Sequence, residues 1–248
     1  METISIQKIK WIKSLHLKKN REKENLFLVE GEKIVTELLL NFPTKIKLIV
    51  CKSSFTEKSE ELKTIRKESV FLANTEEMER MSTLTNASTV LAVVEKIQPK
   101  AIDTSKRLVL LDGIQDPGNL GTIIRTADWF GIDQILCSPT TVDLYNSKTL
   151  QATMGSFLRV SIHYLDLKIF IQENQETVYA ALMEGVPYQQ IPKEQVKMIL
   201  LGNEGKGISE ELLPLLKKPI TIVGKGQAES LNVGVASGIL LSYFCEVE

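Results

Sequence analysis

Apolar residues along the chain fall into two alternating kinds of run. Ile6, Ile9, Ile12 and Leu15 recur at helical spacing over residues 5–17, with Trp11 beside them, and predict an amphipathic helix. Leu26-Phe27-Leu28-Val29 predicts a short strand, followed after Gly31 by a helix near residues 32–40. Further strands are expected at Lys47–Cys51, Val70–Leu72 and Val90–Val94, with helices over 57–66 and 75–81 between them. Strand and helix take turns, so the first part of the chain reads as a small α/β sandwich.

From Gln98 to Lys106 the sequence turns polar and contains Pro99, which marks a linker. Three segments follow from this: an N-terminal α/β domain over 1–97, a linker over 98–106 and a second domain over 107–248. In the second domain strands are expected at 108–111, 134–137, 160–162, 177–182, 198–201 and 220–223. Helices are expected at 118–130, 146–154, 168–174, 209–216 and 232–244. Leu108–Leu111 and Met198–Leu201 are apolar on both faces, the mark of a parallel sheet covered by helices.

Composition narrows the picture. The 248 residues are 43% hydrophobic and 25% charged, enough for two globular domains. No apolar run reaches membrane-spanning length and the N-terminus lacks the apolar core of a signal peptide, so a cytoplasmic location is expected. Cys51, Cys137 and Cys245 lie far apart and read as reduced, buried thiols. His16 and His163 have no partners at ligand spacing, so no metal site is expected.

A net charge of −1 hides an uneven distribution. Lys8, Lys10, Lys13, Lys18, Lys19, Arg21 and Lys23 face only Glu2 and Glu22 within residues 1–23. By itself such a cluster is a solvated helical face; beside an independent sign of nucleic acid it becomes a phosphate-binding surface.

Three glycine-bearing polar segments follow apolar runs and precede helical patterns: Asp112–Arg125, Leu201–Gly207 and Glu229–Val233. They are expected on the carboxyl edge of the second sheet, where open α/β folds bind ligands. Known phosphate cradles do not match. Gly205-Lys206 is followed by Gly207 where a P-loop needs Ser or Thr, and Gly224-Lys225-Gly226 has Glu229 where the dinucleotide fingerprint needs glycine. What remains is Asn119, Arg125, Glu204, Ser230 and Asn232 at strand ends. Each also has a plain structural reading: caps for Asn119, Ser230 and Asn232, backbone contacts for Glu204, and an ion pair of Arg125 with Asp128 or Glu204.

Taken together, the segments resemble the three motifs of the SPOUT superfamily, specifically the SpoU-type (TrmH-like) RNA 2′-O-ribose methyltransferases. The first reads Asn119-Leu120-Gly121-Thr122-Ile123-Ile124-Arg125-Thr126-Ala127, the second Gly202-Asn203-Glu204-Gly205-Lys206-Gly207-Ile208, and the third runs from Ile222 to Ser230-Leu231-Asn232-Val233. Asp143–Asn146, Met154-Gly155-Ser156 and Phe27–Gly31 are also similar to the family, so the resemblance spans nearly the whole chain. One departure is Val223-Gly224, where the family carries Pro-Met.

The resemblance implies a deep trefoil knot in the second domain and a small N-terminal RNA-binding domain. It implies S-adenosylmethionine as methyl donor, held through Gly202, Ile222 and Leu231. Asn119, Arg125, Glu204, Ser230 and Asn232 would serve the ribose, and Lys8, Lys10, Lys13, Lys18, Lys19 and Arg21 would meet RNA, ribosomal before transfer RNA. A homodimer acting without metal is expected. A SPOUT enzyme methylating a base, or a non-catalytic RNA-binding assembly factor, are the alternatives; the Asn119/Arg125/Glu204/Ser230/Asn232 set favours ribose chemistry.

Overall fold

A computed structural model describes residues 1–174 and 177–245, so residues 246–248 of the expected second domain lie outside the described residues. Two compact units are present, one of Met1–Gln98 with Tyr145–Gly155, the other of Pro99–Leu144 with the residues from Ser156 on.

In the first unit the chain runs β1 (Glu2–Thr3), α1 (Ile6–Ser14), α2 (Lys18–Glu24), β2 (Leu26–Glu30), α3 (Glu32–Asn41), β3 (Ile46–Cys51), α4 (Ser53–Thr56), β4 (Val70–Leu72), α5 (Thr75–Met81) and β5 (Val90–Glu95). The sheet order is β1-β4-β3-β5-β2. β1 and β3 pair parallel with β4, while β5 runs antiparallel to β3 and β2. Side chains alternate as a pleated sheet requires. Leu26, Leu28, Leu48, Val50, Phe71, Leu91 and Val93 share a core with Ile9, Ile12 and Leu15 of the first helical region and Met78 and Met81 of α5.

The helix expected over 5–17 ends at Ser14, and the basic run after it forms a separate helix, α2. α1 closes at Leu15, whose carbonyl and that of His16 accept hydrogen bonds from the buried Arg21 guanidinium at 3.1 and 2.7 Å. α2 then carries the basic run on to Asn25, which takes a left-handed φ of 55°. In place of the helix expected over 57–66, the single turn α4 ends at Thr56 and a 3-10 turn follows at Glu60–Thr64. Only Phe55 and Leu62 are buried in those two turns, too few apolar anchors to hold a longer amphipathic helix.

The second unit contains β6 (Leu108–Leu111), α6 (Pro117–Trp129), β7 (Gln134–Cys137), then, after α7 (Ser147–Thr153), β8 (Ser161–Tyr164), α8 (Leu167–Glu173), β9 (Val178–Pro187), β10 (Met198–Leu201), β11 (Lys218–Thr221) and α9 (Val233–Phe244). Its sheet order is β11-β9-β10-β6-β7-β8, and all neighbours are parallel. β6 and β10 are buried throughout, as their doubly apolar sequences require. Strand order switches direction between them, so their carboxyl ends open side by side at the crevice-forming position of such sheets.

α7 groups with the first unit, where Gln151 Nε2 donates to the Glu30 carbonyl at 2.8 Å and the Tyr145 ring lies 4.4 Å from that of Phe27. The helix expected over 209–216 is a series of turns ending in a 3-10 turn at Leu213–Leu215, because Pro214 cannot donate within a helix. The last strand is Lys218–Thr221 rather than 220–223. Its pairing with β9 slips between Pro219 and Ile220, and a Cβ on Gly185 would stand 2.7 Å from the Pro219 carbonyl, so only glycine permits that approach.

Truncating Leu110 to Ala, at a fully buried position in β6, is expected to lower unfolding stability by about 2–5 kcal/mol in urea titrations. A pH effect is expected at His163 on the edge strand β8, whose Nε2 is shielded and unpaired among the described residues and whose pKa is lowered by burial. Such a ring is harder to protonate in the fold than in the unfolded chain, so its contribution is lost as pH falls through its ordinary value of 6.5. Comparing urea midpoints at pH 7 and pH 5, the His163→Asn variant should lose less stability on acidification than the parent.

Candidate active site

The site starts from the way α6 begins. Asp116 is its N-cap, accepting the Asn119 N–H at 2.9 Å, and Pro117 occupies the first helical turn, where no N–H is needed. The cap is therefore Asp116 and not Asn119, which leaves the Asn119 side chain available. Its Nδ2 donates to Glu204 Oε1 at 2.6 Å, and its Oδ1 accepts from Asn232 Nδ2 at 2.9 Å. Asn232 caps α9 as expected, its Oδ1 receiving the N–H groups of Gly234 and Val235 at 2.9 and 3.3 Å.

Amide orientations along this chain follow from the chemistry of its ends. An ionised carboxylate only accepts, so Asn119 turns its NH2 to Glu204 and its oxygen to Asn232. Asn232 must spend its oxygen on the helix N–H groups and can offer Asn119 only its NH2. One residue from each glycine-bearing segment is thereby joined into a single polar thread.

Arg125 lies on the same helix, exposed to solvent. Neither expected ion pair forms, and Arg125 makes no hydrogen bond or ion pair with another described residue. Asp128 is taken by Arg159, with Nη2 to Oδ2 at 2.7 Å and Nε to Oδ1 at 3.0 Å. Partial burial would raise the Asp128 pKa, but hydrogen bonds from Arg159 and Ser156 and the Arg159 charge outweigh it and hold the carboxyl below its ordinary value. Glu204 is engaged by Asn119 instead.

Gly202 ends the buried run of β10. A Cβ there would fall 2.5 Å from the Gly207 carbonyl carbon, because the turn folds back and Asn203 and Gly207 exchange backbone hydrogen bonds of 2.8 and 2.9 Å. Ile222 follows β11, half-buried; Val223 and Leu231 are 57% and 47% exposed, and Ser230 is exposed with no hydrogen bond to a described residue. Glycine backbone beside exposed aliphatic side chains suits a nucleoside, whose base takes apolar contacts on its faces and backbone hydrogen bonds on its edge. Among the described residues no group of His, Cys, Asp and Glu is placed to hold a metal ion.

In the first unit Lys8, Lys10, Lys13, Lys18 and Lys19 are exposed along α1 and α2. Lys8 Nζ stands 4.8 Å from the Phe71 ring centroid and Lys18 reaches Glu22 at 3.8 Å. Arg21 does not join this face. It is 5% exposed and spends its guanidinium on the carbonyls that end α1. The spacing of the basic run could not separate it from its neighbours, because the break at Leu15–Leu17 that turns α2 inward leaves no mark in the charge pattern. The Asp116 cap, by contrast, was readable as Asp followed by Pro before a helical pattern.

The SpoU rRNA Methylase family model matches residues 106–242, and the MRM3-like substrate binding domain matches residues 7–92. The chain is similar to the 23S rRNA (guanosine(2553)-2′-O)-methyltransferase RlmP of Bacillus subtilis (strain 168), with 37% identity covering 97% of each chain. It is similar in structure to a putative RNA methyltransferase of the TrmH family from Porphyromonas gingivalis, with TM-score 0.85, 32% identity and 98% of each chain covered. An AdoMet-bound rRNA methyltransferase from Sinorhizobium meliloti superposes with TM-score 0.83 and 31% identity, covering 98% of this chain and 96% of that one.

Asn232 has two separable duties, capping α9 and donating to Asn119. Replacing it by Ala should lower stability by about 0.5–2 kcal/mol, as loss of an N-cap does. Asn232→Asp keeps the cap acceptor and should retain most of that stability in the same thermal or urea unfolding measurement.

Proposed function

Because the chain belongs to the SpoU rRNA Methylase family, we propose that it transfers a methyl group from S-adenosylmethionine to a ribose 2′-hydroxyl of large-subunit ribosomal RNA. The observation that carries this reading is the thread Glu204–Asn119–Asn232 on the same unit as an Arg125 that no other described residue engages. Bound S-adenosylmethionine supplies the electrophile, a methyl carbon on a sulfonium. Gly202, Ile222 and Leu231 hold that donor through loop backbone and aliphatic contacts, at the carboxyl ends of β10 and β11 and ahead of α9.

A 2′-hydroxyl attacks well only as its proton leaves. Arg125 cannot take that proton, since a guanidinium stays protonated far above neutrality. Its part is to clamp a phosphate of the target nucleotide, aligning the 2′-oxygen and letting a phosphate oxygen accept the proton. Asn119 and Ser230 orient the ribose, Asn232 contacts the substrate beside them, and Glu204 keeps the Asn119 amide turned the right way.

The same reading gives residues 1–97 the role of RNA-binding domain, 98–106 that of linker and 107–248 that of methyltransferase domain. Lys8, Lys10, Lys13, Lys18 and Lys19 make phosphate contacts, without Arg21. The path after β11 forms a deep trefoil knot, as the resemblance implies. The enzyme works as a cytoplasmic homodimer; Trp129 on α6 is 84% exposed and Val235 on α9 is 53% exposed, apolar surface that a second copy would cover.

Two measurements test the assignment. Arg125→Ala should cut methyl transfer to ribosomal RNA by at least about 100-fold, a loss of roughly 2.7 kcal/mol in transition-state stabilisation, with donor affinity by calorimetry unchanged within threefold. Full activity in that variant, or a methyl group found on a base instead of the ribose, would overturn the ribose reading. Lys18→Glu with Lys19→Glu should flatten the dependence of log RNA affinity on log salt by roughly 1.5–2, as expected for two lost phosphate contacts.

A further inference from the structure

Glu204 is exposed on the three-residue turn between Asn203 and Gly207, yet its carboxylate meets Asn119 at 2.6 Å, across 85 positions of sequence. Something other than Glu204 must hold that turn in place. We propose that Asn203 and Asp112 are positioning residues of the transferase, which lock the turn after β10 onto the loop after β6 and so set Glu204 against Asn119. The proposal rests on the functional reading of Asn119, Glu204 and Asn232 given above.

Asn203 is half-buried and its side chain makes three hydrogen bonds. Oδ1 accepts the N–H groups of Gly205 and Lys206 at 2.9 and 3.0 Å, which shapes the turn itself. Nδ2 does something a turn does not need: it donates at 2.7 Å to the carbonyl of Gly113, in the neighbouring loop. Gly113 is held from its other side as well, its N–H donating to Ser138 Oγ at 2.8 Å. Its φ of +66° keeps this peptide in a conformation that favours glycine. The carbonyl that receives Asn203 is therefore a fixed point tied to the end of β7.

Asp112 holds the other leg. It is 6% exposed, and its Oδ2 accepts the Ser209 N–H at 2.7 Å. Asn203 stands immediately before Glu204 and Ser209 shortly after it, so both ends of the segment are tied to consecutive residues, Asp112 and Gly113. A shift of about 1 Å at this level of positioning is enough to disturb catalysis strongly.

Substitutions separate the turn-shaping bonds from the lock. Asn203→Asp keeps the acceptor for Gly205 and Lys206 but cannot donate to Gly113. It should lower kcat at least 20-fold with KM for RNA within threefold. Asp112→Ala should lower kcat as well, and Asp112→Asn, which keeps an acceptor for Ser209, should restore it. Because Asn203 acts through Glu204, the double variant Asn203→Asp with Glu204→Gln should be no slower than Glu204→Gln alone. Multiplying losses, or an Asn203→Asp enzyme within threefold of the parent, would overturn the proposal.

A second readout needs no methyl transfer. In amide-selective NMR of the full chain, the Asn119 side-chain NH2 resonances should move in Asn203→Asp in the direction seen for Glu204→Gln. An unmoved Asn119 signal in Asn203→Asp overturns the lock. Should the parent protein transfer no methyl group, the functional reading fails while this measurement still decides whether Asn203 positions Glu204.

Discussion

The parallel pairing of β6 with β10 is the constraint on which the site depends. Leu108–Leu111 and Met198–Leu201 align residue for residue although about ninety positions separate them, and both strands are buried on both faces. Burying two such apolar strands against each other is strongly favourable, and a slip of register would move every side chain to the opposite face of the sheet. Once they are paired, Asp112-Gly113 and Gly202-Asn203 must emerge next to each other. The bonds from Asn203 to Gly113 and from Ser209 to Asp112 follow from that adjacency.

Polar groups at this edge are ordered by what each can and cannot donate. Glu204 is an acceptor, the first N–H groups of α9 are donors, and the two amides between them have one orientation that satisfies both ends. The thread therefore carries information from a carboxylate on one loop to the cap of a helix on another. Arg125 stays outside it, since Asp128 is held by Arg159 and Glu204 by Asn119. An arginine that no other described residue engages keeps its fork available, as the proposed phosphate clamp requires.

The first unit shows how a charge run is sorted by local folding. Seven basic side chains look equivalent in sequence, but the chain breaks after Leu15 and restarts at Lys18, which turns Arg21 inward under the α1 carbonyls. Its charge stabilises the helix end and no longer faces solvent. The lysines on either side remain exposed, and the field that an approaching polyanion meets is theirs.

Much of the architecture was legible from local pattern. The doubly apolar runs at 108–111 and 198–201 announced a parallel sheet. The strands expected at 26–29, 47–51 and 70–72 appear at 26–30, 46–51 and 70–72, and the helix at 75–81 appears as expected, because each buries a self-consistent stripe. At the start of α6 the cap role considered for Asn119 falls to Asp116. Segments with few buried residues, 57–66 and 209–216, were misread as helices, since periodicity counts apolar positions without knowing whether a partner surface exists. Local pattern set which residue types stand at the strand ends and, through their resemblance to a family, what chemistry is expected of them. Packing across the sheet decides that Asn119 is a junction and not a cap, that Arg21 is buried while Arg125 bonds to no other described residue, and that Asn203 reaches Gly113. The reason is physical: hydrogen bonds between loops depend on strand order and register, which arise from packing over long sequence separations and leave no local trace.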